Sequence, residues 1–316
     1  MTVTPRRRKA PRVYLVVGGI ALAGLGCSGG PTSSEEVRED PVVEVFVTLP
    51  PLADVVERVG GERVRVEVLV ESGRDPHTFE PTPRQMAGLA KAALLCTAGA
   101  PFEEQLALKA EGMGHELVVI DTSSGIPRDD AEEHAADNHD HHGHAHHDHG
   151  HHGDGMDPHV WLAPAALKVM ARNACGALAS VDPANRSEYE ANLAGFLAET
   201  EATDERIKKM LAPYDGSVFY VFHPAFGHFA EAYGLRQKAV ERGGKEPSAK
   251  ELQALIEEAR ADRARVVFVQ PQHGTGSAET IAKAIGADLV TLDPLARDVL
   301  ANLETIAVRI EQAVKP

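Results

Sequence analysis

The sequence predicts an α/β protein of two lobes, each with a mostly parallel sheet, joined by one long rigid helix. Short apolar, β-branched runs alternate with amphipathic helical patterns at the spacing of βαβ units, which build parallel sheets with helices on their faces. Residues 183–212 carry a helical pattern with Gly195 as its only internal breaker, and such a helix would span about 45 Å. The 316 residues are enough for two domains. We therefore expect a first lobe at 42–182, the linking helix at 183–212 and a second lobe at 213–316.

Each element can be assigned from the local pattern. Strands are expected at residues 42–48, 63–70, 93–97 and 117–121 in the first lobe, and at 218–222, 237–241, 265–270 and 288–292 in the second. Helices are expected at 52–59, 82–91, 102–110 and 164–180, then, after the linking helix, in a short segment ending at Tyr233 and at 248–260, 277–285 and 298–314. Ser248 and Glu251 have the spacing of a capping box, which predicts where one of these helices begins.

The N-terminus is typical of an export signal. Five basic residues precede an apolar run from Val13 to Gly26, which is short for a membrane span. The run ends at Leu25-Gly26-Cys27-Ser28 and resembles a bacterial lipoprotein signal, in which Cys27 becomes the lipidated first residue and 27–41 is a tether. The alternative is a cleaved secretory signal with Cys27 incidental. Either interpretation predicts an exported protein, and the first one anchors it to a membrane at the periplasmic or cell-surface side.

Charge and cysteine content narrow the possible partners. The formal charge is −15, and without residues 1–26, which hold five basic residues and no acid, it becomes −20. This balance argues against nucleic acid and would concentrate cations near the surface. Cys96 and Cys175 could pair in an oxidising compartment. Their positions in apolar strand-like and helical runs favour buried free thiols.

A histidine-rich tract interrupts the first lobe. Ten of the 16 histidines fall within 134–152, with almost no apolar residue among them, so a loop over about 129–156 is expected rather than a packed element. Neutral imidazoles are common ligands of borderline transition metals, which predicts many weak metal sites. The alternative is a solvated linker that happens to be rich in histidine. The ten candidate weak ligands are His134, His139, His141, His142, His144, His146, His147, His149, His151 and His152.

Four further residues are candidates for one strong metal site. His77, His159, His223 and Asp293 each stand in a turn after a strand or an apolar segment, beside a proline. Ligands of open α/β sheets gather beyond the carboxyl ends of the strands. Two of the four residues would come from each lobe and would face each other across a cleft. Three imidazoles and one carboxylate suit tetrahedral Zn²⁺, with bonds of about 2.0–2.2 Å.

Three motifs carry a resemblance to a known family. They are Asp75-Pro76-His77-Thr78-Phe79-Glu80-Pro81, Asp157-Pro158-His159-Val160-Trp161-Leu162 and His223-Pro224-Ala225-Phe226. Their order, with a histidine-rich loop before the second motif, resembles the ZnuA/TroA-type metal-binding lipoproteins, the solute-binding components of zinc and manganese ABC importers. The resemblance implies the fold predicted above and a monomeric carrier that passes one ion to a membrane permease. Histidine at position 223, where manganese members tend to have a carboxylate, implies Zn(II).

Some alternatives stay open at this point. The fourth ligand is Asp293 or water, since Asp293-Pro294 could also be a helix-entry turn. The segment Gln270-Pro271-Gln272-His273 departs from relatives that often have glutamate first and an aromatic residue last, so His273 is either a secondary metal ligand or a packing residue. A zinc hydrolase is disfavoured because the sequence has no H-E-x-x-H and no obvious general base except Glu80. The remaining alternatives to a zinc carrier are a surface metal buffer or adhesin and a manganese carrier.

Overall fold

The structure is a computed structural model and describes residues 42–112, 117–127, 157–241 and 243–315. The predicted signal segment, Cys27 and the histidine tract at 134–152 lie outside these residues. None of the helices in the described ranges is long and apolar enough to cross a membrane.

The first lobe contains a four-stranded parallel sheet. Its strands are β1 (Val43–Val47), β2 (Val64–Val68), β3 (Leu94–Thr97) and β4 (Val118–Asp121), in the order β2-β1-β3-β4. Its helices are α1 (Pro50–Gly60), α2 (Pro83–Leu89), α3 (Pro101–Glu111) and α4 (Pro164–Val181). All four helices have proline in the first two positions, where the missing N–H costs no hydrogen bond. Pro50 and Pro51 thus begin α1 two residues before the predicted start.

A long helix, α5 (Arg186–Leu211), follows the first lobe. Its 26 residues span about 39 Å at 1.5 Å each. Short 3₁₀ turns at Pro183–Asn185 and Ala212–Tyr214 extend the helical path at both ends. Side chains of α5 bond to both lobes: Glu199 pairs with Arg58 of α1, and Asp204 accepts a hydrogen bond from Tyr233 at 3.2 Å. The predicted linking helix is therefore present and held at several points.

The second lobe repeats the topology of the first. Strands β5 (Val218–Val221), β6 (Arg236–Ala239), β7 (Val266–Val269) and β8 (Asp288–Thr291) form a parallel sheet in the order β6-β5-β7-β8. The helices are α6 (Gly227–Ala232), α7 (Ala249–Ala261), α8 (Gly276–Ile285) and α9 (Val299–Val314). The Ser248–Glu251 capping box forms at the start of α7 as predicted. The fold class predicted from sequence is confirmed.

One apolar cluster passes through both lobes. It runs from β1 and α1 through α4 and α5 to β5 and α9, and its fully buried members include Val47, Leu178, Tyr189, Phe226 and Ile306. Cys96 and Cys175 are free and buried, which agrees with the preferred prediction of unpaired thiols. In each sheet the strand order reverses between the first and third strands, so the crevice that binds ligands in such folds lies at their carboxyl ends.

Candidate metal centre

His159 is held by the carboxylate two residues before it. Oδ1 of Asp157 accepts a hydrogen bond from the backbone N of His159 at 2.9 Å and lies 2.7 Å from its ring Nδ1. Both residues are buried. Burial alone would raise the pKa of Asp157, but His159, through its charge and both hydrogen bonds, leaves this pKa below its usual value. An ionised Asp157 keeps the proton of His159 on Nδ1, so Nε2 offers its lone pair.

His77 lies in the equivalent motif of a more exposed loop. Its residues Pro76–Thr78 form a 3₁₀ turn after β2, and Oδ1 of Asp75 accepts a hydrogen bond from the backbone N of His77 at 2.9 Å. The residue as a whole is exposed, yet partial enclosure of its ring, followed by the charge of His223, lowers the pKa of His77. His77 is therefore neutral near pH 7 and able to bind a metal.

His223 follows β5 and is held from two sides. The amide of Gln270 brackets its backbone: Oε1 accepts from the N of His223 and Nε2 donates to its O, both at 3.0 Å. Ring Nδ1 lies 3.4 Å from each carboxylate oxygen of Glu241. Ring Nε2 is buried and has no hydrogen-bond partner. A buried polar atom without a partner is costly, and a metal ion would supply the missing partner.

The three histidines converge on one point between the lobes. One ring nitrogen from each of His77, His159 and His223 lies within 4.8 Å of the others. The rings of His77 and His159 each lie 5.3 Å from that of His223, centroid to centroid. A tetrahedral ion with bonds of about 2.1 Å holds its ligands about 3.4 Å apart, so side-chain shifts of about 1 Å would complete the site. Neutral imidazoles suit a borderline divalent ion.

The surrounding pocket is largely apolar. Beside the histidines it is lined by residues such as Leu49, Phe102, Trp161 and Leu295. Trp161 packs edge-on against His159 with a centroid distance of 5.4 Å, and its indole Nε1 donates to the carbonyl of Pro294 at 2.8 Å. An apolar lining lowers the local dielectric constant around the ring nitrogens, which strengthens their interaction with a cation.

Asp293 is not among the donors that the structure brings together. Its Oδ1 accepts hydrogen bonds from Nε2 of Gln272 at 2.7 Å and from the backbone N of Leu295 at 2.9 Å. Through Oδ1, Asp293 fixes the turn before α9, as in the helix-entry alternative considered from the sequence, and its role as the fourth ligand stays a prediction. His228 packs beside the site, with Nε2 3.0 Å from the carbonyl of Asp157.

Two further side chains contact the ring of His223. His273 stacks on its ring at 4.4 Å between centroids, and Glu241 faces its Nδ1. Burial alone would raise the pKa of Glu241, but the hydrogen bond and charge of His223 leave it lowered. Sequence reasoning named His273 as a secondary ligand and missed Glu241. The missed signal was position, because Glu241 follows β6 just as His223 follows β5.

Comparison with known proteins identifies the family. The family model "ZnuA: Zinc-uptake complex component A periplasmic" matches residues 45–310. The high-affinity zinc uptake system protein ZnuA of Paracoccus denitrificans is 35% identical over 273 residues, covering 80% of this chain and 82% of that protein. A crystal structure of a ZnuA is 37% identical, with a TM-score of 0.78, and covers 87% of this chain and all of the other. A zinc-bound ZnuA with residues 138–173 of its own numbering deleted is also 37% identical, with a TM-score of 0.77, and covers 87% of this chain and 99% of its own. A match over most of both sheets, together with the convergence of three histidines, shows that the chain belongs to the ZnuA family.

Proposed function

We propose that this protein is the extracytoplasmic zinc carrier of an ABC importer and delivers Zn²⁺ to the membrane permease. The observation that carries the proposal is the convergence of three imidazoles on one point, with a buried Nε2 of His223 that has no other partner. The names of its relatives in zinc uptake agree with this function.

His77, His159 and His223 are the proposed ligands. Because Oδ1 of Asp293 already accepts two hydrogen bonds, we assign the fourth coordination position to water. Asp157 and Glu241 orient two of the ligands through Nδ1, an arrangement that fixes the tautomer and raises ligand basicity. Three neutral nitrogen donors favour zinc over manganese, which prefers carboxylate oxygen.

Transport rather than catalysis fits the composition of the pocket. A catalytic zinc site needs a general base near its open position, and no acidic residue is among those described as lining this pocket. The proposal further includes export, lipidation of Cys27 as a membrane anchor, and a monomeric carrier. The ten histidines between His134 and His152 would collect zinc weakly and pass it to the folded site.

Zinc titration against a competing chelator tests the folded site. In the full chain with the ten tract histidines replaced by glutamine, one tightly bound zinc should remain and the weak sites should disappear. Adding His159→Ala should then weaken zinc binding by about tenfold or more, by analogy with disturbed ligand support. His228→Gln is the matched control, because glutamine can still hydrogen-bond the carbonyl of Asp157. Loss of all zinc binding with the tract histidines would refute the folded site and favour a surface metal buffer.

A further inference from the structure

A second group of donors overlaps the three-histidine site. Ring nitrogens of His223 and His273 and a carboxylate oxygen of Glu241 all lie within 4.8 Å of one another. His223 and Glu241 are buried, and His273 is partly exposed at the pocket that all the clustered histidines line. The two groups share His223 and differ in every other donor.

The second group belongs to one lobe. His223, Glu241 and His273 follow β5, β6 and β7, which are neighbours in the order β6-β5-β7. Their side chains meet because the carboxyl ends of parallel strands share one edge of the sheet. The three-histidine group, in contrast, takes His77 and His159 from the other lobe.

We propose that His223, Glu241 and His273 form a second position for the transported ion, built by the C-terminal lobe alone. The ion occupies this second position after His77 and His159 have dissociated from it. The proposal rests on the proposed function in taking zinc as the cargo. In this proposal His223 is a ligand in both positions, so the ion stays bound to it while it moves from the site between the two lobes to the site on the C-terminal lobe.

The two positions exclude each other. A neutral imidazole has one nitrogen with a lone pair, and the other nitrogen carries a proton. If His223 offers Nε2 to both positions, one ion blocks the other. If it offers Nδ1 to the second position, the proton must move from Nδ1 to Nε2, which removes the lone pair from the first. One ion is therefore bound at a time.

The donor set of the second position is suited to an intermediate step in the release of the ion from the protein. Two imidazoles and one carboxylate form a known zinc set that leaves a coordination position open to water or to an incoming ligand. Glu241 must exchange its contact with Nδ1 of His223 for the ion, and the ring of His273 must turn out of its stacking on His223. His273 is the partly exposed member of this set, so we expect an ion held there to be accessible to a further acceptor.

Removing the donors of the first lobe isolates the second position. The parent is the full chain with the ten tract histidines replaced by glutamine, and His77→Ala with His159→Ala is added to it. We expect the double variant to bind one zinc, more weakly than the parent. Adding His273→Phe, which keeps a ring against His223 but offers no donor, should weaken the remaining binding by about tenfold or more, the scale of a disturbed metal site. Glu241→Gln should also weaken it, and the exposed Glu257→Gln is the matched control.

Each result separates the two proposals. If the parent lacks one tight zinc, the proposed function fails. If the parent binds one zinc tightly but His273→Phe does not weaken the zinc affinity of the double variant, the second position does not exist.

A spectroscopic experiment with Co²⁺ covers the case in which the double variant does not fold, as judged by circular dichroism. The visible absorption of Co²⁺ reports its donor set. The second variant carries His77→Ala, which changes an exposed residue, and His159→Gln, whose amide can still donate a hydrogen bond to the carboxylate of Asp157. In this variant the Co²⁺ spectrum should change on adding His273→Phe, whereas Glu257→Gln should leave it unaltered. A spectrum indifferent to His273→Phe would overturn the proposal.

Discussion

Asp157→Asn is the most informative single change at the three-histidine site. The carboxylate of Asp157 accepts from both the backbone N and ring Nδ1 of His159, at 2.9 and 2.7 Å. An asparagine can still accept one hydrogen bond but carries no charge. It also permits the wrong tautomer of His159, in which the proton sits on Nε2 and blocks the metal.

The expected loss can be worked from these contacts. A hydrogen bond to an ionised group contributes about 1.5–3 kcal/mol and a neutral one about 0.5–1.5. Replacing one by the other at a ligand, with some population of the wrong tautomer, should cost about 1.4–2.8 kcal/mol, or about 10–100-fold in zinc affinity. Competition with a chelator of known affinity measures this loss directly, in the chain whose tract histidines are replaced by glutamine.

The chain offers its own matched control. Asp75 occupies the same place in the motif of His77 and accepts from its backbone N at 2.9 Å, and it has no contact to the ring among the described hydrogen bonds. Asp75→Asn therefore removes the same charge from the same kind of turn and should weaken zinc binding only slightly. Equal losses in the two variants would show that the charge near the site, and not the ring contact, determines the affinity.

Further predictions follow from other contacts. In Gly227→Ala, the new Cβ would lie 2.5 Å from Oδ2 of Asp157, so zinc affinity should fall by about tenfold in the same competition assay. Burial raises the pKa of Glu103 to about 7. Because this pKa in the folded state exceeds the unfolded one, the free energy of unfolding of the parent falls as pH rises through 7. Glu103→Gln removes this pH dependence. In denaturant unfolding of the metal-free chain, the stability of the variant relative to the parent should therefore rise by up to about 3 kcal/mol between pH 5 and 8. Burial and His223 lower the pKa of His77, so zinc affinity measured against pH should decline only below about 6.5. Burial raises the pKa of Cys96 to about 12, so a thiol reagent should label it only after unfolding.

The fold could be predicted because its signals are local. Alternating β-branched runs and amphipathic patterns predicted every strand within the part of the chain that the structure describes, and the Ser248–Glu251 capping box predicted where α7 begins. Prolines near helix starts misled the prediction at α1 and at the linking helix. The first helix was expected from residue 52, yet Pro50 and Pro51 form its first turn. The linking helix was expected from Pro183, which begins a short 3₁₀ turn before α5.

The site was predictable where residue type and position agree. His77, His159 and His223 combine an imidazole with a turn after a strand, and the structure brings them together. Asp293 shows the same pattern, yet Oδ1 of its carboxylate accepts hydrogen bonds from Gln272 and Leu295. Which acceptor a carboxylate meets depends on neighbouring strands and loops, which sequence spacing does not specify.

Glu241 and Gln270 were missed for the same reason. Both contact His223, one through its ring and the other through its backbone. They lie 18 and 47 residues from it in sequence, after two strands that only the order β6-β5-β7 places beside β5. A glutamate after a strand is common on protein surfaces, so residue type alone did not distinguish it from a solvated charge.

The contacts around the pocket constrain how an ion can leave. Across the lobes, Nε1 of Trp161 donates to the carbonyl of Pro294 at 2.8 Å, and the backbone N of Val299 donates to Asp54 at 3.1 Å. Wide opening would break these bonds and expose the shared apolar cluster, so exchange at the level of side chains costs less. Among the three proposed ligands, His77 is exposed and its ring has no carboxylate partner among the described contacts, whereas His159 is buried against Asp157. His77 should therefore release the ion first. The ion then remains bound to His159 and His223, and His223 is the residue that also contacts Glu241 and His273.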